Sequence, residues 1–320
     1  MRTYIIRRLL LMIPTLLLVS ILVFSLIRFI PGDAIDAVLE GAYRGGSAET
    51  RAELERFLGL DVPAHVQYAR WIGNMVLHGT LGKSLLGSAI TIEEQILRRL
   101  PVTLELGLLA IAIGLVIALP VGIYSAIRQN TLADYAGRSL AIIGLATPNF
   151  WLGLLVIVFP AIWWNWTPPI RMIALSDDLL GNLGGFIAPS LILGTYFAAA
   201  TMRMTRTMML EVLRQDYVRT AWSKGLKERV IVVRHVIKNA LIPVVTLIGL
   251  QLPILVGGSV IMENIFNLPG LGRLLLDALL DRDYPMVSGI NLVFASGVVV
   301  INLFVDLLYG VLDPRVRHQE

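Results

Sequence analysis

Gly82, Lys83 and Ser84 stand in the order in which a phosphate-binding loop ends, with Lys83 placed where a side chain would reach the outer phosphates of a nucleotide. The full pattern needs another glycine ahead of Gly82, at a position that holds Leu77 in this chain. Short motifs of this kind arise by chance far more often than by function, so no nucleotide site is assigned there. His65, His78, His235 and His318 include no H-x-x-x-H pair and no neighbouring acidic cluster at ligand spacing, which argues against a metal centre. The chain has no cysteine, so disulfides, thiolate metal sites and Cys nucleophiles are excluded. No Gly-x-Ser-x-Gly turn presents a serine nucleophile. Pro-Gly-Leu-Gly-Arg at 269–273 lacks the rest of a dinucleotide fingerprint and reads as a turn. Catalysis is not what this sequence is arranged for.

What it does concentrate is basic charge. Residues 216–243, DYVRTAWSKGLKERVIVVRHVIKNALIP, hold six Lys or Arg and two acidic residues, in a chain that is 56% hydrophobic and 16% charged. The mean hydropathy of +0.74 is far above that of a soluble globular chain. Spanning a hydrocarbon core takes about 20 apolar residues in a helix. Six stretches qualify: 9–30, 102–127, 139–163, 186–202, 241–262 and 286–308, the fourth diluted by Pro189 and Thr195. In lipid, backbone polar groups must be satisfied within each segment, so these runs are helices. The fold expected is all-α, a polytopic membrane protein of six transmembrane helices. The first run is too long for a signal-peptide core and lacks a small-x-small cleavage site after it, so it is expected to stay as a span.

Basic residues orient the spans. With the N-terminus in the cytoplasm, the inner segments 1–8, 128–138, 203–240 and 310–320 carry sixteen Lys or Arg, against Arg171, Arg273 and Arg282 in the short outer loops. The loop 31–100 is too long to count. Both termini are therefore expected to be cytoplasmic, together with the basic segment, and Lys83 falls outside, away from cytoplasmic ATP. The expected organisation is 1–30 as N-terminal segment and first span, 31–100 as an extracytoplasmic cap, and 101–320 as a five-helix core with its cytoplasmic loop at 203–240. In the cap, Ser47, Thr50 and Glu53 give helix-start signals, Gly59 a stop, and Pro63 opens another helix. Trp163, Trp164 and Trp166 read as an interfacial aromatic belt. Ionisable residues within spans are few: Glu105 near the start of the second and Asp306 near the end of the sixth, with Asn302 sharing the face of Asp306. A structural role at an interface suits them better than a proton relay.

The basic segment reads as an elbow. Residues 210–224 are strong helix formers, and Gly225 is the residue expected where a helix ends in the left-handed conformation. A second helix starts near Lys227 and climbs into the fifth span, with Val230, Val233 and Ile237 on one stripe. The turn is expected to present Thr220, Ala221, Trp222 and Leu226. Two uses fit equally: an amphipathic segment on anionic lipid, or a docking element for a cytoplasmic partner. A carrier driven by an ion gradient would want broken helices with midplane charges, and a channel would want polar rings or a filter loop; neither pattern is found.

Arg219, Thr220, Ala221 and Gly225, within YVRTAWSKGL and followed by RHVIKNALIP, closely resemble the inner loop of the integral-membrane subunits of ATP-binding-cassette importers, in the dipeptide, oligopeptide and nickel permease group. In the wider family that loop begins with Glu-Ala-Ala; here the glutamate is replaced, as is the Ile-x-Leu-Pro that usually follows. RLPVTLELG at 99–107, ATPNFWLGLL at 146–155, ENIFNLPGLGRLL at 263–275 and DLLYGVLDPRVR at 306–317 extend the likeness over nearly the whole chain. The resemblance implies a type I importer transmembrane fold in a bacterial or archaeal cytoplasmic membrane. It further implies a second permease subunit, two ATPase subunits that bind ATP and Mg, and an extracytoplasmic substrate-binding protein. No cofactor is implied for this chain, and no nucleic acid. Contact with the ATPase would fall on Arg219, Thr220, Ala221, Trp222, Gly225, Leu226, Lys227 and Glu228. Peptides are the leading substrates, with nickel chelates, glutathione or oligosaccharides as alternatives.

Overall fold

The computed structural model describes residues 2–28, 55, 61–84, 90–167 and 172–312, and every regular element among them is helical. In chain order these are α1 (Arg2–Arg28), α2 (Ala64–His78), α3 (Ile92–Ile127), α4 (Leu132–Ala146), α5 (Asn149–Trp164), α6 (Leu179–Leu213) and α7 (Asp216–Ser223). Then α8 opens at Glu228–Val230, passes through a π-helical stretch, Ile231–Ile237, and continues as Lys238–Ile265. Last come α9 (Leu271–Leu280) and α10 (Tyr284–Leu312). Among the described residues five segments are long and apolar enough to cross a membrane: Ile5–Ser25, α3, α6, α8 and Tyr284–Leu307. Pro63 sits at the start of α2 as the sequence suggests, and Gly79 ends that helix at φ +66°. The helix signals at Ser47, Thr50, Glu53 and Gly59 lie outside the described residues.

The third span departs from expectation. In place of one straight helix over 139–163, α4 and α5 meet at 95° and make a sixth span only when taken as a pair. Pro148 is the cause. Its ring disfavours helical geometry in the residue before it, and Thr147 is extended at φ −90°, ψ 121°. The Thr147 hydroxyl donates to Ile143 O at 2.7 Å, closing the end of α4. The pentapeptide at 269–273 is also only partly a turn: Gly270 precedes α9, while Leu271 and Gly272 are buried inside it.

Two compact units divide the chain: Met1–Ile6 with Thr103–Leu268 and Val300–Glu320, and Arg7–Val102 with Pro269–Val299. In the second unit, Ile92, Ile96, Leu271, Leu274, Met286 and Ile290 form a buried core. There α2 is held to α1 by Ser20 Oγ and Tyr68 Oη at 2.7 Å and by the Phe24 and Tyr68 rings, 5.2 Å apart.

In the first unit α6 packs through small residues, as helices do in lipid, where close backbone approach replaces a hydrophobic driving force. Ala198, Ala199 and Met202 of α6 bury against Ala118 and Ala141. A Cβ on Gly194 would stand 2.8 Å from Ala110 O and 3.2 Å from Ile113. Gly194→Leu is therefore expected to lower stability by about 1–3 kcal/mol through overpacking. Gly73 of α2, with nothing within 4 Å of such a Cβ, should gain about 0.5–1 kcal/mol as alanine. Thermal melts in detergent separate the two, and a parental midpoint for Gly194→Leu would refute the close approach.

Candidate coupling site

Between α6 and α8 the chain makes the elbow, but with one more break than its helix formers suggest. Arg214 N donates to Glu211 O at 3.2 Å and Gln215 N to Val212 O at 3.1 Å, a tightened last turn that ends α6. Gln215 is then extended at φ −70°, ψ 147°, and α7 starts afresh with Asp216 in its first turn, where a carboxylate favours the positive end of the helix dipole. No Gly or Pro marks this break, so composition gave no sign of it.

Gly225 is left-handed at φ +72°, as expected, and its N–H donates to Trp222 O at 2.9 Å. Lys227, extended at φ −65°, ψ 142°, precedes Glu228, the first residue of α8. Arg219 and Asp216 pair at 3.4 Å in the open, and the Thr220 hydroxyl bonds back to Asp216 O at 3.0 Å. Arg219, Thr220, Trp222, Gly225, Leu226 and Lys227 are all exposed. Glu228 is half-buried and reaches Arg128, beyond the end of α3, at 3.4 Å.

Ala221 is the exception. It is only 6% exposed and lies in a core with Val218, Met209, Ile231, Val232, Val236, Ala240 and Ala126. It fastens the elbow from within rather than presenting itself at the surface. The stripe expected at Val230, Val233 and Ile237 is partly displaced: Val230 and Val233 are exposed, Ile237 is half-buried against this core, and Ile231, Val232 and Val236 are buried. In the π-helical stretch, bonding five residues back widens the turn, and the inward positions recur four or five residues apart, Val232 to Val236 and Ile231 to Val236.

Polar ties reinforce the core. Asn239 Nδ2 donates to Tyr217 Oη at 2.8 Å and to His235 O at 3.1 Å. Nearby, Arg206 of α6 clasps Asp134 of α4 by two parallel bonds, Nε to Oδ1 at 2.7 Å and Nη2 to Oδ2 at 2.8 Å. Asp134 is fully buried and also takes bonds from Ser125 Oγ and, at 3.0 Å, from Asn130 N. Sequence reasoning missed this clamp. Thr131 followed by Asp134 was legible as a helix start, and Thr131 does cap α4, but nothing marks Arg206, 72 positions on, as the partner. Away from the elbow, Glu105 is half-buried with its Oε1 shielded and without a hydrogen-bond partner, and Asn302 is exposed. Among the described residues no group of His, Asp or Glu could hold a metal. Ser84 donates to Asp283, so the hydroxyl that would serve a phosphate loop has a structural use.

A family model described as the binding-protein-dependent transport system inner membrane component matches residues 118–318, and one for the N-terminal part of such components matches residues 1–107. The chain is 40% identical to the dipeptide transport system permease protein DppB of Escherichia coli (strain K12), over 100% of both chains. It is 39% identical to the oligopeptide transport system permease protein AppB of Bacillus subtilis (strain 168), over 99% of this chain and 100% of that one. Among solved structures, the inward-facing MetNI methionine ABC transporter aligns at TM-score 0.54 and 18% identity, covering 68% of this chain and 96% of that one. An amino acid ABC transporter aligns at TM-score 0.52 and 17% identity, covering 69% and 94%.

Proposed function

We propose, since this chain belongs to the family of binding-protein-dependent transport system inner membrane components, that its elbow is the lever through which ATPase subunits drive peptide import. The chain is the membrane-spanning subunit of an ATP-binding-cassette peptide importer and not its ATPase. It works with ATPase and binding-protein partners. In our reading a second homologous permease subunit completes the pathway and two ATPase subunits hold ATP and Mg. Both termini and the elbow face the cytoplasm, a placement supported by the sixteen-to-three bias of basic residues.

The observation that carries the lever is the way the elbow is fastened. Val218 and Ala221 are buried against Ile231, Val232 and Val236, while Trp222 and Leu226 remain exposed at 47% and 37%. A short helix that shares a core with the foot of α8 moves with it as one body, whereas a loose linker would absorb displacement. Closure of the ATPase dimer then shifts the elbow, and the helices behind it rock between inward and outward openings. Arg219, Thr220, Trp222, Gly225, Leu226, Lys227 and Glu228 surround the contact, with Ala221 supporting it from beneath.

Trp222 supplies the test. As a large aromatic anchor at a contact centre it is worth about 2 kcal/mol or more, so Trp222→Ala should weaken capture of the ATPase subunits about thirtyfold. Arg219→Ala, at a solvated rim, should change capture little. If Trp222→Ala leaves capture untouched and instead reduces partition onto anionic vesicles, the elbow is a lipid-surface element and the lever reading fails.

A further inference from the structure

Within the first unit, between the start of α5 and the middles of α6 and α8, lies a half-open cavity of about 470 Å³. Leu193, Phe197 and Leu255 give it an apolar wall, and three polar side chains reach it from three helices: Asn149, Tyr196 and Gln251. Pockets that take small molecules have this build, mostly apolar with a few placed polar groups.

One of the three polar groups is left incomplete by the protein. Asn149 Oδ1 is shielded from solvent and has no hydrogen-bond partner. Gln251 is 8% exposed, and one N–H of its amide bonds Thr201 Oγ1 at 3.2 Å, which leaves the second N–H of that nitrogen for another acceptor. Tyr196 is half-buried. A buried polar group without a partner is costly, and such costs persist where a ligand or water supplies the missing bond. The break at Pro148 sets Asn149 in the first turn of α5, so the bend that divides the third span also turns this carboxamide toward the cavity.

We infer that this cavity is a subsite for the backbone amides of a peptide in transit. Two carboxamides and a phenol can accept from peptide N–H groups and donate to peptide carbonyls. Among the described residues no charged side chain lines the cavity, so it reads the repeating amide, common to every peptide, and ignores the sign of the side chains. Peptide-independent apolar contact with Leu193 and Phe197 adds grip without selectivity. The inference rests on the peptide-importer reading and extends it to named residues.

The test uses the whole importer, this chain with its partner subunits, reconstituted in proteoliposomes and supplied with labelled alanine di- and tripeptides. Tyr196→Phe and Asn149→Ala are each expected to raise the KM for uptake about three- to tenfold, the range for one lost hydrogen bond. Hydrolysis of ATP stimulated by the binding protein should stay near the parent's rate. A photoreactive p-benzoylphenylalanine at position 196 should label the peptide during turnover, and the same group at Leu154, exposed on α5, should not. Unchanged KM in both variants, or labelling of only lipid or another subunit from position 196, overturns the subsite while leaving the importer reading in place. Uptake by the parent that persists without ATP overturns the importer reading instead, and the subsite with it.

Discussion

Asp134→Ala is expected to melt far below the parent protein, by the equivalent of about 3–5 kcal/mol, because it strands a buried cation. The Arg206 side chain is only 15% exposed, and Asp134 gives it both carboxylate oxygens. Truncation leaves that guanidinium unpaired, and it also deprives Ser125 Oγ and the Asn130 amide of their acceptor. Three segments lose at once the partner that the first turn of α4 supplies: the end of α3, the turn after it, and α6. Desolvating an ion pair is itself expensive, so removing both charges should cost much less than removing one. Asp134→Leu combined with Arg206→Met is accordingly expected to recover most of the loss in a detergent thermal melt. A single variant as stable as the parent, or a double variant worse than the single, would show that the clamp does not hold these helices.

Gly225→Pro should abolish coupling, lowering ATP-driven uptake at least tenfold while the chain still inserts. Gly225 sits at φ +72°, and proline is locked near −65°. Its N–H, which closes the turn on Trp222 O at 2.9 Å, would be lost as well. Lys224, the residue after α7 at φ −79°, ψ 3°, would be pushed toward extended geometry by the ring after it. Together these cost about 3 kcal/mol or more at the turn. The core of the unit is spared, since nothing lies within 4 Å of a Cβ at this position. ATP hydrolysis by the partner subunits should continue, detached from transport. Gly225→Ala, which pays only the left-handed penalty of about 1–2 kcal/mol, should fall between. Parental uptake by Gly225→Pro with all partners present would show that the elbow transmits nothing.

Much of this could be read from the residues alone. Long apolar runs admit only helices in lipid, so α3, α6, α8 and α10 follow from composition, and Gly225 announced its turn. The bend at Thr147 and Pro148 was also written in the sequence, but the unbroken hydropathy on both sides masked it. Other features had no local signal. The end of α6 at Arg214 is made by backbone bonds among good helix formers. The burial of Ala221 depends on a partner surface, Ile231 to Val236, whose orientation follows from a π-helical register that hydropathy does not encode. The pairing of Asp134 with Arg206 joins two helices distant along the chain. Patterns within one helix are legible; meetings between helices are settled only when the chain folds.

That register bears on how the proposed lever is aimed. A helix bonded five residues back holds more residues in the same climb than an α-helix does. The seven residues Ile231–Ile237 thus act as a stored insertion at the root of α8. Deleting a single residue there, such as the exposed Val233, would let the stretch tighten to α-helix and absorb the loss, whereas a deletion in the α-helical part would turn everything ahead of it by about 100°, the angle one residue subtends. A loss that elsewhere acts as a twist would here be taken up in place, leaving Trp222 and Leu226 facing the same quarter of the molecule.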